Sequence, residues 1–253
     1  VKNETVQLEV CANSVVSALA AQHGGAVRVE LCENLSEGGT TPSHGEIVIA
    51  RKLLTIQLYV LIRPRGGDFL YTDEEYNVMV EDIKHCLQAG CDGIVIGILK
   101  ADGTIDKERC SKLVRMAKAM GAGVTFHRAF DMCADMGRAL EDIIEIGCER
   151  ILTSGGKSTA MEGFRAIGGL IEKAKGRITI MPGSGINDHN VTDLVRFTGA
   201  REVHSSARKK VQSKMDYRND LIVMGDSFGD EYAHMQTDAD VVRGIIKAAN
   251  LLV

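Results

Sequence analysis

The chain has 253 residues, of which 45% are hydrophobic and 25% charged, enough for one sizeable core and too apolar for a disordered chain. A formal charge of −4, 4% aromatics and no Trp argue against a polyanion-wrapping face and a membrane-interface belt. Neither nucleic acid nor a membrane is therefore expected as a partner. Seven cysteines with no C-x-x-C pair read as reduced thiols of the cytoplasm, the nucleus remaining open, rather than as a disulfide framework.

Eight short β-prone runs follow one another at 6–10, 27–31, 57–62, 93–96, 124–126, 150–152, 178–181 and 202–204. Between them, 14–22, 73–89, 107–120, 136–146 and 160–175 carry the helical spacing of apolar residues, a further helix starts near Asn187-Asp188, and 238–253 reads as a closing helix. One junction recurs: Gly25-Ala26, Gly90-Cys91, Gly147-Cys148 and Gly199-Ala200 each precede a strand run, with Gly121-Ala122-Gly123 a looser copy. Glycine supplies the left-handed helix cap, and the small residue lets the chain turn tightly into the strand. Eight β-α units in 253 residues predict one domain, residues 1–253, folded as an α/β (β/α)₈ TIM barrel. A doubly wound sheet is the other arrangement, but no G-x-G-x-x-G follows the first strand. No apolar run approaches the ~20 residues that span a bilayer. The chain opens on a strand-like segment, so no secretory leader is expected.

A barrel of this kind carries its chemistry at the C-terminal ends of its strands. Those ends hold Glu9 and Cys11, Glu30 and Cys32, Arg63 to Asp68, His127 and Arg128, Thr153 to Gly156, Pro182 to Gly185, and His204 to Arg208. The fourth strand, ending Ile96-Gly97, adds little. Glu9, Glu30, Arg63, His127 and Arg128 are the candidates for acid/base work and charge stabilisation. Each carboxylate serves equally as an ion-pair partner of Arg63 or Arg128. Ser154, Gly183, Ser184, Gly185, His204 and Ser205 are the candidates for holding an anion, because Gly- and hydroxyl-rich loops near a helix start expose backbone N–H groups. The same glycines also suit plain tight turns.

Cys11 and Cys32 each stand two residues beyond a glutamate, so alternation points Glu and Cys of one strand the same way. On adjacent strands, roughly 4.8 Å apart, two such thiols suit a soft ion such as Cu(I). A small buried apolar slot suits them as well. The other five cysteines read as packing, and unclustered histidines with no H-E-x-x-H do not support a zinc site.

These strand ends resemble the copper homeostasis protein CutC family, most of all its animal members. The likeness runs through Glu9-Val10-Cys11, Arg28-Val29-Glu30-Leu31-Cys32, the run SEGGTTPS at 36–43, the run IRPRGGDF at 62–69, and 125–131, 152–155, 181–186 and 204–208. It implies a cytosolic barrel assembled as a homodimer or homotetramer and linked to copper handling. The family's proposed Cu(I) ligands fall on Cys11 and Cys32, with the copper ion as partner and no organic cofactor. Ser184 departs from the glycine of many members. Tyr217-Arg218-Asn219 and Met224-Gly225 are kept while the rest of 208–232 drifts, so no role is carried over to that loop. The resemblance implies no reaction. Two functions stand: a Cu(I)-binding copper homeostasis protein, and an enzyme of lyase, isomerase or hydrolase type acting on a small anionic or phosphorylated metabolite at the barrel mouth.

Overall fold

Strand and helix alternate along the chain: β1 (Gln7–Ala12), α1 (Val15–Gly24), β2 (Arg28–Leu31), α2 (His44–Leu53), β3 (Gln57–Leu61), α3 (Asp73–Gln88), β4 (Gly93–Ile96), α4 (Lys107–Ala119) and β5 (Gly123–Phe126). Then come α5 (Met136–Ile146), β6 (Arg150–Thr153), α6 (Phe164–Ala174), β7 (Thr179–Pro182), α7 (Val191–Thr198), β8 (Glu202–Ser205), β9 (Arg208–Gln212), β10 (Ala233–Thr237) and α8 (Ala239–Ala249). This computed structural model describes residues 5–219, 221, 222, 224 and 230–251, so Gly225 of the 208–232 loop lies outside the described residues.

The first eight strands form one parallel sheet in the order β7-β6-β5-β4-β3-β2-β1-β8. β1 pairs with both β2 and β8, and β7 packs beside β8 at the seam, where the described residues form no ladder. The fold is a (β/α)₈ barrel. Among the described residues six of its eight helices, all but α6 and α7, start on side-chain caps: Ser14 accepts from the Ser17 N–H, and Thr72 and Glu75 make a reciprocal capping box. Three helices, α1, α5 and α7, end on predicted junction glycines. Gly25 and Gly147 cap α1 and α5 at φ of 95° and 93°, where a side chain would be strained.

Three elements differ from the sequence reading. Helix α2 went unpredicted, although Ser43 caps it by accepting from the Glu46 N–H. Helix α6 begins at Phe164 rather than at residue 160, because Gly163 lies so close to the Ser154 carbonyl that the chain there packs on β6 instead of coiling. The segment between the eighth strand and the last helix holds an antiparallel hairpin, β9 with β10.

Alternation divides the barrel wall. Leu8, Val10, Val29, Leu31, Leu58, Val60, Ile94 and Ile96 face outward into the main apolar core against the helices. Each buried side chain of this size contributes roughly 1.5–3 kcal/mol. The inward positions are different. A small apolar cluster of Cys11, Cys32, Tyr59, Leu61 and Val95 shares the lumen with buried charge.

At the N-terminal end of the lumen Arg28 is bonded to both Glu9 and Glu202, and Arg150 Nε reaches Glu202 at 2.7 Å. Both guanidinium groups lie over the Tyr59 ring, at 5.2 and 5.6 Å from its centroid. Gly93 and Gly123 make room for that ring, since a Cβ at either would stand 2.4 or 2.0 Å from Tyr59 atoms. A pair of charges this deep repays its desolvation only when well hydrogen-bonded, and here both carboxylates are.

Candidate functional site at the barrel mouth

The C-terminal ends of the strands surround a cavity of about 330 Å³. Cys11, Glu30, Cys32, Arg63, His127 and His204 all line it, together with Arg128, Ser184, Gly185, Ser205 and Arg208 from the loops. Glu9, Ser154 and Gly183 stand outside that lining.

The thiol pair comes from the β1–β2 ladder. Cys11 sits opposite Glu30, and the Cys32 N–H bonds the Ala12 carbonyl one step beyond. The two sulfurs are 3.2 Å apart and both buried. The hydrogen bond with Cys32, helped by burial, pushes the Cys11 thiol well above its ordinary value.

His204, at the end of β8, stands between two carboxylates. Its Nδ1 is 2.7 Å from Glu9 Oε1, and its Nε2 is 3.5 Å from Glu30 Oε2. Burial works to lower His204, but the Cys11 thiol and both glutamates outweigh it and hold the imidazole well above its usual range. Cys11, Glu30 and His204 offer donor atoms within 4.8 Å of one another. Glu9 has one oxygen on Arg28 and the other on His204; burial raises it, but those two partners bring it down to about 2. Glu30 has no such cation of its own, and burial lifts it to about 7 against the pull of His204. The sequence had offered Arg63 or Arg128 as partner for the glutamates. Glu9 instead takes Arg28, which its strand register places directly opposite.

His127 ends β5 and caps the short turn Arg128–Met132 by accepting the Ala129 N–H at Nδ1, 3.1 Å away. That bond assigns the ring proton to Nε2. Gly97 leaves space for the ring, since a Cβ there would stand 2.4 Å from His127 Cε1. The strand that offered least to the sequence reading thus makes room for one of the site's residues. Burial, reinforced by Arg63, pulls His127 down to about 3, so it is a neutral donor.

Arg63 is pinned by carbonyls: Nη1 to Glu37 and Gly39 at 2.8 and 2.6 Å, and Nη2 to Gly67 at 2.7 Å. Arg128 holds Asp131 and the Ser154 hydroxyl, each at 2.8 Å. Ser154 also bonds Asp131 and the Lys157 carbonyl, so its hydroxyl ties the β5 and β6 loops together. Ser184 reaches the cavity with φ of 82°, a conformation easier for glycine, and its hydroxyl bonds the Ser158 carbonyl at 2.7 Å. The Ser205 hydroxyl bonds the Ile186 carbonyl at 2.7 Å. Of the thirteen proposed residues ten line the cavity, and Glu9, Ser154 and Gly183 stand behind it.

Sequence reasoning missed Arg28, Glu202, Tyr59 and Phe69. For Arg28 and Glu202 a signal was present: Arg28-x-Glu30-x-Cys32 and Glu202-x-His204 place polar groups every second residue in otherwise β-prone runs, which marks the lumen face.

Fold and mouth together define a TIM-barrel protein whose C-terminal face holds a buried thiol pair beside a histidine and a carboxylate. The chain belongs to the CutC family, whose model matches residues 6–209. A CutC family protein of Chromobacterium violaceum is 48% identical over 241 residues, covering 95% of this chain and 97% of that protein. The human copper homeostasis protein cutC homolog is 49% identical over 248 residues, covering 97% of this chain and 90% of that one. Bacterial and human relatives thus stand at similar identity. The crystal structure of a CutC from Streptococcus agalactiae superposes with a TM-score of 0.76 at 34% identity, covering 80% of this chain and 99% of that one.

Proposed function

We propose that this protein handles copper by taking Cu(I) as cargo between Cys11 and Cys32. The observation that carries the reading is the pair of buried sulfurs 3.2 Å apart on the cavity wall. Thiolates are the soft donors that select Cu(I) over harder ions. His204 fits as a further ligand once copper displaces its Nε2 proton: Nδ1 is oriented by Glu9, leaving Nε2 toward Glu30, the carboxylate–histidine arrangement that tunes metal-bound imidazoles. A straight sulfur–ion–sulfur unit needs roughly 4.6 Å between sulfurs, twice a metal–sulfur bond of about 2.3 Å. Loading therefore spreads the pair, and by less if His204 joins as a third donor in a trigonal site, where the sulfurs stand about 4.0 Å apart for the same bond length. The copper homeostasis name of the human relative supports the same reading.

The seven cysteines are all free, which suits a reducing cytosol, and no helix among the described residues is long and apolar enough to cross a membrane. Assembly as a homodimer or homotetramer is part of the same proposal. The experiment is anaerobic Cu(I) titration against a chromogenic chelator, with Zn(II) run in parallel. The wild type should hold one equivalent of Cu(I) and the Cys11→Ser/Cys32→Ser variant none. Equal retention by both proteins, or a site that takes Zn(II) and refuses Cu(I), rules the reading out.

A further inference from the structure

Two buried donors beside the cavity have no acceptor. Arg63 is 4% exposed; its terminal nitrogens go to three backbone carbonyls and its Nε has no partner. His127 is 5% exposed; Nδ1 accepts the Ala129 N–H, and Nε2, which carries the proton, has no partner either. Among the described residues Arg63 forms no ion pair, so a cation removed from water is met by neutral oxygens and the face of the Phe69 ring, with no counter-charge. A water molecule would satisfy the donors but leave the charge unbalanced.

Phe69 connects the two groups. Its half-buried ring, on the loop between β3 and α3, lies 5.0 Å from Arg63 Cζ and 5.0 Å from the His127 ring centroid. Neither nitrogen touches solvent.

We propose that this end of the cavity binds a small organic oxyanion, its oxygens taking the Arg63 Nε–H and the His127 Nε2–H once the Phe69 side chain turns aside. The cavity, about 330 Å³, is at the small end of ligand sites. Leu35, Leu61, Leu152 and Ile186 offer apolar wall to the body of such a molecule, and Arg208 adds a second positive charge. Because His127 is neutral, it donates without needing to be protonated further. The sequence had looked for an anion at Ser154, Gly183 to Gly185, His204 and Ser205, at the ends of the sixth to eighth strands, and had kept Arg63 and His127 for acid/base work and charge stabilisation; these two, which follow the third and fifth strands, carry the unpaired donors. Neither cysteine supplies a contact, so the site is independent of the copper reading.

Pyruvate and inorganic phosphate are the probes, titrated into the metal-free wild type, His127→Asn and Phe69→Ala, with calorimetry and the His127 side-chain nitrogen NMR signal as readouts. Asparagine keeps an acceptor near Nδ1 for the Ala129 N–H but removes the Nε2 donor, so the turn is retained. Saturable binding of pyruvate that shifts the Nε2 signal and weakens about tenfold or more in His127→Asn supports a carboxylate ligand. The same pattern with phosphate supports a phosphoryl one. Phe69→Ala should bind at least as tightly as the wild type. Equal affinity in the wild type and His127→Asn, or no saturable binding of either probe by the wild type and by Phe69→Ala, overturns the proposal.

Discussion

Glu9 and Glu30 come from neighbouring strands of one lumen, are equally buried, and titrate in opposite directions. Glu9 belongs to the closed lower layer, where Arg28 and His204 take both of its oxygens and hold it down at about 2. Glu30 faces the mouth, where burial prevails and lifts it to about 7. The lower layer balances its charges internally, through Arg28, Glu202 and Arg150, and fills its space with Tyr59. The mouth does not: it leaves a raised carboxyl, two thiols and two unpartnered donors around open volume. Burial alone therefore does not distinguish scaffold from site. What distinguishes them is whether the charges already have counter-charges: Arg28 is bonded to two carboxylates and Arg63 to none, although Arg150 Nη1 in the lower layer also lacks a hydrogen bond.

The largest test of that contrast is Arg28→Met, which strands Glu9 and Glu202 without their cation. Removing one member of a buried pair costs about 3–5 kcal/mol, so urea melts should show a loss of that size; a variant within 1 kcal/mol of the wild type, on the order of an exposed pair, would mean the layer is not held by charge. Next in size is acid. A carboxyl depressed from 4.5 to about 2 contributes stability that is complete above pH 4.5 and disappears as pH falls toward 2. For Glu9 the full difference is about 3 kcal/mol, and Glu9→Gln should remove that part of the pH dependence.

Glu30 should show the opposite sign. Raised to about 7, it stabilises most below pH 4.5, and this contribution is lost as pH rises through 7. Glu30→Gln should therefore gain on the wild type between pH 4.5 and 8, by up to about 3 kcal/mol before the loss of its His204 contact is subtracted. A parallel shift at all pH values would show that Glu30 does not titrate in this window. The smallest effect belongs to His127. A histidine depressed to about 3 stabilises fully above pH 6.5 and loses that contribution as pH falls. By pH 5 the wild type should have lost about 2 kcal/mol that His127→Asn retains, measured as the difference between their pH–stability curves.

Much of this was legible in the chain. Strand runs, glycine junctions and helical spacing are local properties, and each was read within one or two residues at most elements. Exceptions lay where local signals were weak or overruled: the capped α2, the hairpin of β9 and β10, and the late start of α6 forced by the close approach at Gly163. The two-residue spacing of Glu9 with Cys11 and of Glu30 with Cys32 put those four side chains on one face, and the structure has all four turned inward.

What the sequence by itself determined is the barrel and the end of it that carries polar groups, because both follow from periods of two and 3.6 and from backbone conformations only glycine adopts freely. Tertiary structure alone decided who pairs with whom. Pairing of β1 with β2 set Arg28 against Glu9 and drew two sulfurs 21 positions apart to 3.2 Å, and pairing of β8 with β1 brought His204 of the eighth strand onto the first. Such partnerships depend on register and reach across strands, which no local pattern encodes.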